Sequence, residues 1–179
     1  MTCIAAIAEK GKVFIGADSA GVSGMDVIIR ADEKVFKNGE CLFGFTSSFR
    51  MGQLLRYKFK IPNKPDKMSN KIFMNTLFID GVRKCLKEGG YAKVSDNREK
   101  GGVFIVGYKG NIYSIASDYQ VAQSVESFAA CGCSEDYAKA VLYMTMNKNM
   151  TPRGRIYKAL KVSEHFNIGV RGPYRIMSI

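Results

Sequence analysis

Residues 2–19, Thr2-Cys3-Ile4-Ala5-Ala6-Ile7-Ala8-Glu9-Lys10-Gly11-Lys12-Val13-Phe14-Ile15-Gly16-Ala17-Asp18-Ser19, decide how this chain is read. Thr2–Ala8 is apolar and partly β-branched, Glu9–Lys12 is a hairpin signal, and Val13–Ala17 returns as a second buried strand. A tight hairpin sets the end of one strand beside the start of its partner, which places Asp18 next to Thr2. If an aminopeptidase removes Met1, the Thr2 hydroxyl and α-amine sit on one residue, a weak nucleophile carrying its own base. A free α-amine titrates at about 7.7–8.0, so part of it is unprotonated at neutral pH.

A third run, Lys34-Val35-Phe36-Lys37, turns at Asn38-Gly39 into Cys41–Phe45, and Lys34 is expected to begin a strand beside the first two. There its ammonium would make the threonine hydroxyl more acidic, with Asp18 orienting it and keeping it charged. Taken singly, Asp18 is a turn cap and Lys34 a solvated strand-edge lysine. Cys3 is a competing nucleophile by chemistry, but alternation points it to the face opposite Thr2.

Together these residues resemble a family. Thr2, Asp18 in Gly16-Ala17-Asp18-Ser19 and Lys34 in Glu33-Lys34-Val35-Phe36 match the threonine, aspartate and lysine of proteasome-type β-subunits, HslV and related proteins of bacteria and phages. Both intervals are sixteen residues. Gly44-Phe45-Thr46-Ser47-Ser48 falls where that family has a small-residue loop before a helix. Cys131-Gly132-Cys133-Ser134 falls at its Gly-Ser-Gly turn. The resemblance implies an N-terminal-nucleophile hydrolase of residues 1–179 as one domain, with Thr2, Asp18 and Lys34 catalytic and no metal or cofactor. It implies the Ser47 N–H as oxyanion donor in place of a glycine's. Cys133, Ser19 and Asn167 are supporting residues, and Ala20, Val22, Ile29 and Phe45 are candidates for the substrate pocket. Cys133 stands where the family has a serine, and no aspartate follows Asp136 to match a late family aspartate near His165 or Asn167.

The remaining pattern agrees with an αββα sandwich, two packed antiparallel sheets flanked by helices. Ser47 or Ser48 caps a helix through Tyr57 with Met51, Leu54, Leu55 and Phe59 on its apolar face. A second helix opens at Ser69-Asn70, runs along Ile72, Phe73, Leu77, Phe78, Val82 and Cys85, and ends at Gly89-Gly90. Gly102–Gly107 and Ile112–Ala116 form a hairpin of the second sheet, and a further strand leads to Phe128–Ala130. Helices start at Ser134 and at Thr151-Pro152, and Tyr174–Ile179 closes the chain as a strand. Strands, two helices, strands, two helices and a strand argue against a parallel βαβ fold.

At 179 residues with 46% hydrophobic content the chain can bury about 70% of its unfolded surface, and no apolar run approaches eighteen residues. No signal peptide is read before Thr2. Five cysteines point to reduced thiols and the cytoplasm, and Cys131-Gly132-Cys133 lacks the spacing of a zinc hook. The formal charge is +11, with thirteen Lys/Arg against five Asp/Glu between Arg50 and Lys100, on the outer helices and the Ala92–Gly101 loop. That field favours acidic partners, yet no helix-turn-helix, zinc-finger or RNP phrase accompanies it, so nucleic acid is not the expected ligand.

The function expected from the resemblance is a threonine endopeptidase acting on polypeptides. It would work as a homo-oligomeric ring or stacked rings, with an ATP-dependent unfoldase as a possible partner. The alternatives are a catalytically weak or inactive relative serving as a structural or regulatory oligomer, and a basic nucleic-acid-associated protein on the same fold.

Overall fold

A computed structural model describes residues 1–95 and 98–179. The quoted hairpin forms as β1 (Cys3–Glu9) and β2 (Lys12–Ala17), paired antiparallel with Ile4 opposite Ala17. Lys10 and Gly11 both take positive φ, 50° and 75°, the tight-turn geometry whose twist matches a hairpin. β3 (Ala20–Ser23) and β4 (Asp26–Ile29) make a separate exposed hairpin. The sequence reading assigned no strand to either segment.

β5 (Val35–Asn38) and β6 (Cys41–Phe45) follow, then α1 (Phe49–Gln53), which continues as a wide π-helical turn over Leu54–Lys58. The second helix runs from α2 (Asn70–Phe73) through a π-helical turn at Met74–Phe78 into α3 (Ile79–Glu88). These wide turns change which residues share a face. Phe73 and Phe78, and Met74 and Ile79, are five apart and buried, whereas Ile72 and Leu77 are exposed, contrary to the regular spacing expected of them. The expected Ala92–Gly101 loop contains a strand pair, β7 (Lys93–Ser95) and β8 (Arg98–Lys100), and 96–97 lie outside the described residues. β9 (Phe104–Tyr108), β10 (Asn111–Ile115), the short β11 (Val121–Ala122) and β12 (Phe128–Gly132) precede α4 (Glu135–Met144), α5 (Pro152–Phe166) and β13 (Arg175–Ser178).

The main sheets run β12-β1-β2-β13 and β11-β10-β9-β6-β5. Two strand placements correct the sequence reading. β12 leaves the second sheet and pairs with β1, Cys3 opposite Gly132. β5 pairs with β6 in the second sheet, so the strand that Lys34 precedes does not pair with β1 or β2. Both corrections concern pairing between segments distant in sequence, which local pattern does not encode.

Three apolar layers hold the sandwich. Alternation along β1 sends Cys3, Ala5 and Ile7 toward Ala138, Leu142, Ile156 and Leu160 of α4 and α5. The intervening Ile4 and Ala6 meet Ile15, Val35, Leu42 and Ile105 between the sheets. On the far side Phe43, Phe45 and Phe104 pack on Met51, Leu55, Phe78 and Val82. The sheets touch closely at Gly44, where a Cβ would stand 2.7 Å from both Ile4 and Ile15. Helix–sheet–sheet–helix is therefore the architecture, as the element order implied.

Candidate functional site

Because Gly44 packs on Ile4, the chain leaving β6 at Phe45 emerges at the end of the sandwich that carries Thr2. Several candidate residues converge there. Asp18, at the end of β2, accepts the Cys3 N–H on Oδ1 at 2.9 Å and the Ala20 N–H on Oδ2 at 2.9 Å. Lys34 reaches it from the other sheet, its Nζ 3.0 Å from each carboxylate oxygen. Both residues are buried, 1% and 2% exposed, so neither is the solvated turn cap or edge lysine that it would be singly. Burial pulls the Lys34 pKa below its ordinary value, and the Asp18 carboxylate opposes that shift. An uncompensated ammonium is costly in this interior, and the carboxylate is what lets the charge persist.

Thr2 is 7% exposed. Its N–H lies 3.3 Å from Cys133 Sγ, and that thiol lies 3.4 Å from the Thr2 carbonyl oxygen. Gly132 makes the approach possible. Its φ is +107°, and a Cβ there would stand 2.2 Å from the Thr2 carbonyl oxygen. Asn167 Nδ2 donates to the Cys133 carbonyl at 3.5 Å, so the amide sits near the thiol rather than on Thr2 itself. His165 is exposed on α5, edge-on to Phe166, and does not enter the site. With Met1 in place, the Thr2 hydroxyl donates to the Met1 carbonyl at 2.5 Å. In that form the hydroxyl is occupied and the nitrogen is an amide, which has no basic lone pair.

Ser47 sits in the left-handed region at φ +65°, where a residue with a Cβ carries about 1–2 kcal/mol of strain. Its Oγ accepts the Val103 N–H at 3.0 Å, which offsets part of that cost. Among the described residues its own N–H has no partner, and the residue is exposed. A free backbone donor is one component that an oxyanion site needs.

The other candidates divide. Ser19 turns away from Thr2 and donates from Oγ to the Pro173 carbonyl at 2.6 Å. Ala20 is buried, Val22 half-buried and Ile29 exposed on the β3–β4 hairpin, while Phe45 is buried against α1. Cys3 faces the helices, its Sγ 3.3 Å from Ser163 Oγ, and burial pushes its thiol pKa up to about 12, which leaves it no thiolate. Sequence reasoning missed Arg30 and Phe49. Arg30 is paired with Asp32 at 2.6 Å and lies 3.9 Å over the Phe49 ring, beside Lys34. Their signal is weak, since both belong to ordinary loop and helix-start phrases. Among the described residues no cluster of His, Cys, Asp or Glu has metal-binding geometry, and no helix is long and apolar enough to cross a membrane.

No protein-family model and no curated protein matches this chain in sequence. Solved structures match it in shape. BPH of Thiobacillus denitrificans, solved in complex with epoxomicin, superposes with a TM-score of 0.82 at 17% identity, covering 99% of this chain and 98% of that one. HslV of Trypanosoma brucei superposes at 0.73 and 16% identity, covering 99% and 98%. A Gly-1 mutant of Anbu from Hyphomicrobium sp. strain MC1 gives 0.68 at 14% identity, covering 98% and 80%. The chain thus has the fold of HslV- and proteasome-like proteins, as its motifs suggested.

Proposed function

We propose that this chain is a threonine peptidase, residues 1–179 working as one unit with Thr2 as nucleophile once Met1 is removed. The observation that carries the reading is the buried Lys34–Asp18 pair, bound at 3.0 Å and anchored by the N–H of the residue that follows Thr2. A solvent-excluded ammonium is expensive, and acidifying the hydroxyl of Thr2, whose neighbour Cys3 donates its N–H to the same carboxylate, would give it a use.

The Thr2 Oγ attacks a peptide carbonyl while the freed α-amine takes its proton, directly or through a water. The Lys34 ammonium favours the alkoxide by its field, and the Ser47 N–H receives the developing oxyanion. The proton then passes to the leaving amine as the C–N bond breaks, leaving an ester on Thr2. Water attacks the ester with the amine again as base, releasing the acid and regenerating the hydroxyl. Polypeptides are the proposed substrates, a ring or stacked rings of identical subunits the assembly, and an ATP-driven unfoldase the partner that would feed it.

One observation favours a second reading, a catalytically weak relative acting as a structural or regulatory oligomer. The group beside the Thr2 nitrogen is the Cys133 thiol, and Asn167 rather than a carboxylate lies behind it. A peptide epoxyketone separates the two readings, because it closes a ring using both the hydroxyl and the free amine of an N-terminal threonine. BPH was solved in complex with epoxomicin. Intact mass showing loss of Met1 and one adduct, absent in Thr2→Ala, supports the peptidase. Retained Met1 with no adduct overturns it.

A further inference from the structure

A single nitrogen of Arg171 gathers the backbone carbonyls that end α5. Its Nη1 lies 2.8 Å from the Val170 oxygen, 3.3 Å from that of Asn167 and 3.5 Å from that of Glu164. A guanidinium NH2 has two hydrogens for these three acceptors, so at least one is shared. Glu164 belongs to the last turn of α5 and Asn167 caps it, so two of these oxygens are at the negative end of the helix. Left alone, the oxygens repel one another and open toward water; a cation lets them converge. The Glu164 carboxylate is held elsewhere, by Lys161, Tyr174 and the Gly172 N–H, so the guanidinium serves main-chain oxygens.

The turn that Arg171 closes lies against the N-terminus of the chain. Met1 covers Gly169, where a Cβ would stand 2.3 Å from the Met1 Cβ. The Gly169 N–H donates to Asn167 Oδ1 at 2.9 Å, while Asn167 Nδ2 donates to the Cys133 carbonyl at 3.5 Å. Cys133 Sγ is in turn 3.3 Å from the Thr2 nitrogen. On its main-chain side, the Arg171 carbonyl accepts the Ser19 N–H at 2.9 Å, one residue beyond Asp18. Arg171 thus joins the turn beside the Thr2 nitrogen to the segment that leaves the Lys34–Asp18 pair.

An arginine at a helix C-terminus ordinarily contributes stability alone. We infer that Arg171 is also a positioning residue: its guanidinium holds Asn167 and Gly169 in place against Cys133 and the N-terminus, and so sets where the Thr2 amine lies once Met1 is gone. The inference rests on the peptidase reading and adds to it a residue that never touches the substrate.

The test follows the rate of adduct formation with one tripeptide epoxyketone by intact mass, which also reports loss of Met1. The variants are Arg171→Ala and Arg171→Gln. The second is included because it removes the charge while emptying less space, and a thermal melt reports whether each is folded. Both should lose Met1 and react at least about tenfold slower than wild type, since a displacement of about 1 Å can cost about a hundredfold. Arg171 borders an open cavity of 640 Å³ with Lys158, Lys161 and His165, so a small cation can enter where its side chain is removed. About 50 mM guanidinium chloride, far below denaturing levels, should speed Arg171→Ala at least about threefold and leave wild type unchanged. Tetramethylammonium chloride at the same concentration supplies charge without N–H donors and should not. Wild-type rates in the folded variants, or slow variants that respond no better to guanidinium than to tetramethylammonium, overturn the positioning role while leaving Thr2 a nucleophile. No adduct in the wild type overturns the positioning role and the peptidase reading together.

Discussion

Asp18 directly follows β2 of one sheet and Lys34 directly precedes β5 of the other, yet the lysine nitrogen lies 3.0 Å from both carboxylate oxygens. The pair therefore ties the sandwich together as well as charging the site. Asp18 further anchors the Cys3 and Ala20 N–H groups, so it fixes where the chain enters β1 and leaves β2.

From this follows the first prediction. Asp18→Ala should lose roughly 3–5 kcal/mol of stability, because it strands a buried ammonium and two backbone donors. Lys34→Met should cost less, since the carboxylate keeps those N–H partners. Both should abolish epoxyketone labelling. Denaturant melts read the first effect and intact mass the second; equal stability losses in the two single variants would contradict the assigned anchoring.

Ser47 supplies the second. Ser47→Gly relieves the left-handed strain but loses the bond to the Val103 N–H, two terms of about 1 kcal/mol with opposite sign. Its melting temperature should stay close to wild type, and its turnover of a peptide within a few-fold, because the free backbone N–H is retained. Ser47→Val places a β-branched residue at φ +65° and should lower both. A large rate loss in a stable Ser47→Gly protein would remove the oxyanion role from this N–H.

Much of this was legible in sequence where the information is local. The alternation of β1 and β2, the Lys10-Gly11 turn and the Thr151-Pro152 helix start each depend on a few neighbouring residues, and they form where expected. The sixteen-residue intervals brought Asp18 and Lys34 under suspicion, but not the route by which they meet. Lys34 reaches across the sandwich rather than along one sheet, and that crossing is set by packing at Gly44 and Ile4. The π-helical turns were hidden because Ile72 and Leu77 are as apolar as Phe73 and Phe78. Ser19 is a supporting residue by resemblance alone, and its side chain donates to the Pro173 carbonyl, a partner 154 residues away that the local sequence does not reveal.

Cys133 is the exposed thiol of the chain, and Cys3, Cys41, Cys85 and Cys131 are buried. Burial raises all four buried thiols, Cys3 and Cys41 to about 12. Iodoacetamide should therefore modify the native protein once, at Cys133, and block the epoxyketone by crowding the Thr2 nitrogen 3.3 Å away. Cys133→Ser should label with the epoxyketone and resist iodoacetamide. Mass mapping of the alkylated peptide decides it; modification elsewhere, or an alkylated protein that still reacts with the epoxyketone, would contradict the geometry.

Glu164 gives a pH-dependent prediction away from Thr2. Hydrogen bonds from Lys161, Tyr174 and the Gly172 N–H pull its pKa from 4.5 to about 2. The bonds measure 2.8, 2.6 and 3.0 Å; the first lies within α5, and the other two clamp the segment between α5 and β13. With the folded value below the unfolded one, the unfolded chain binds the extra proton first as acid is added. The contribution is thus complete above about pH 4.5, declines as pH falls toward 2, and is gone below that. Glu164→Gln should melt earlier than wild type at pH 7, and the gap should close between pH 4.5 and 2. Arg171, whose carbonyl accepts the Ser19 N–H at 2.9 Å, links this clamp to the segment after Asp18. A melting gap between wild type and Glu164→Gln that is the same at pH 7 and pH 2 would show that the carboxylate's charge does not hold this segment.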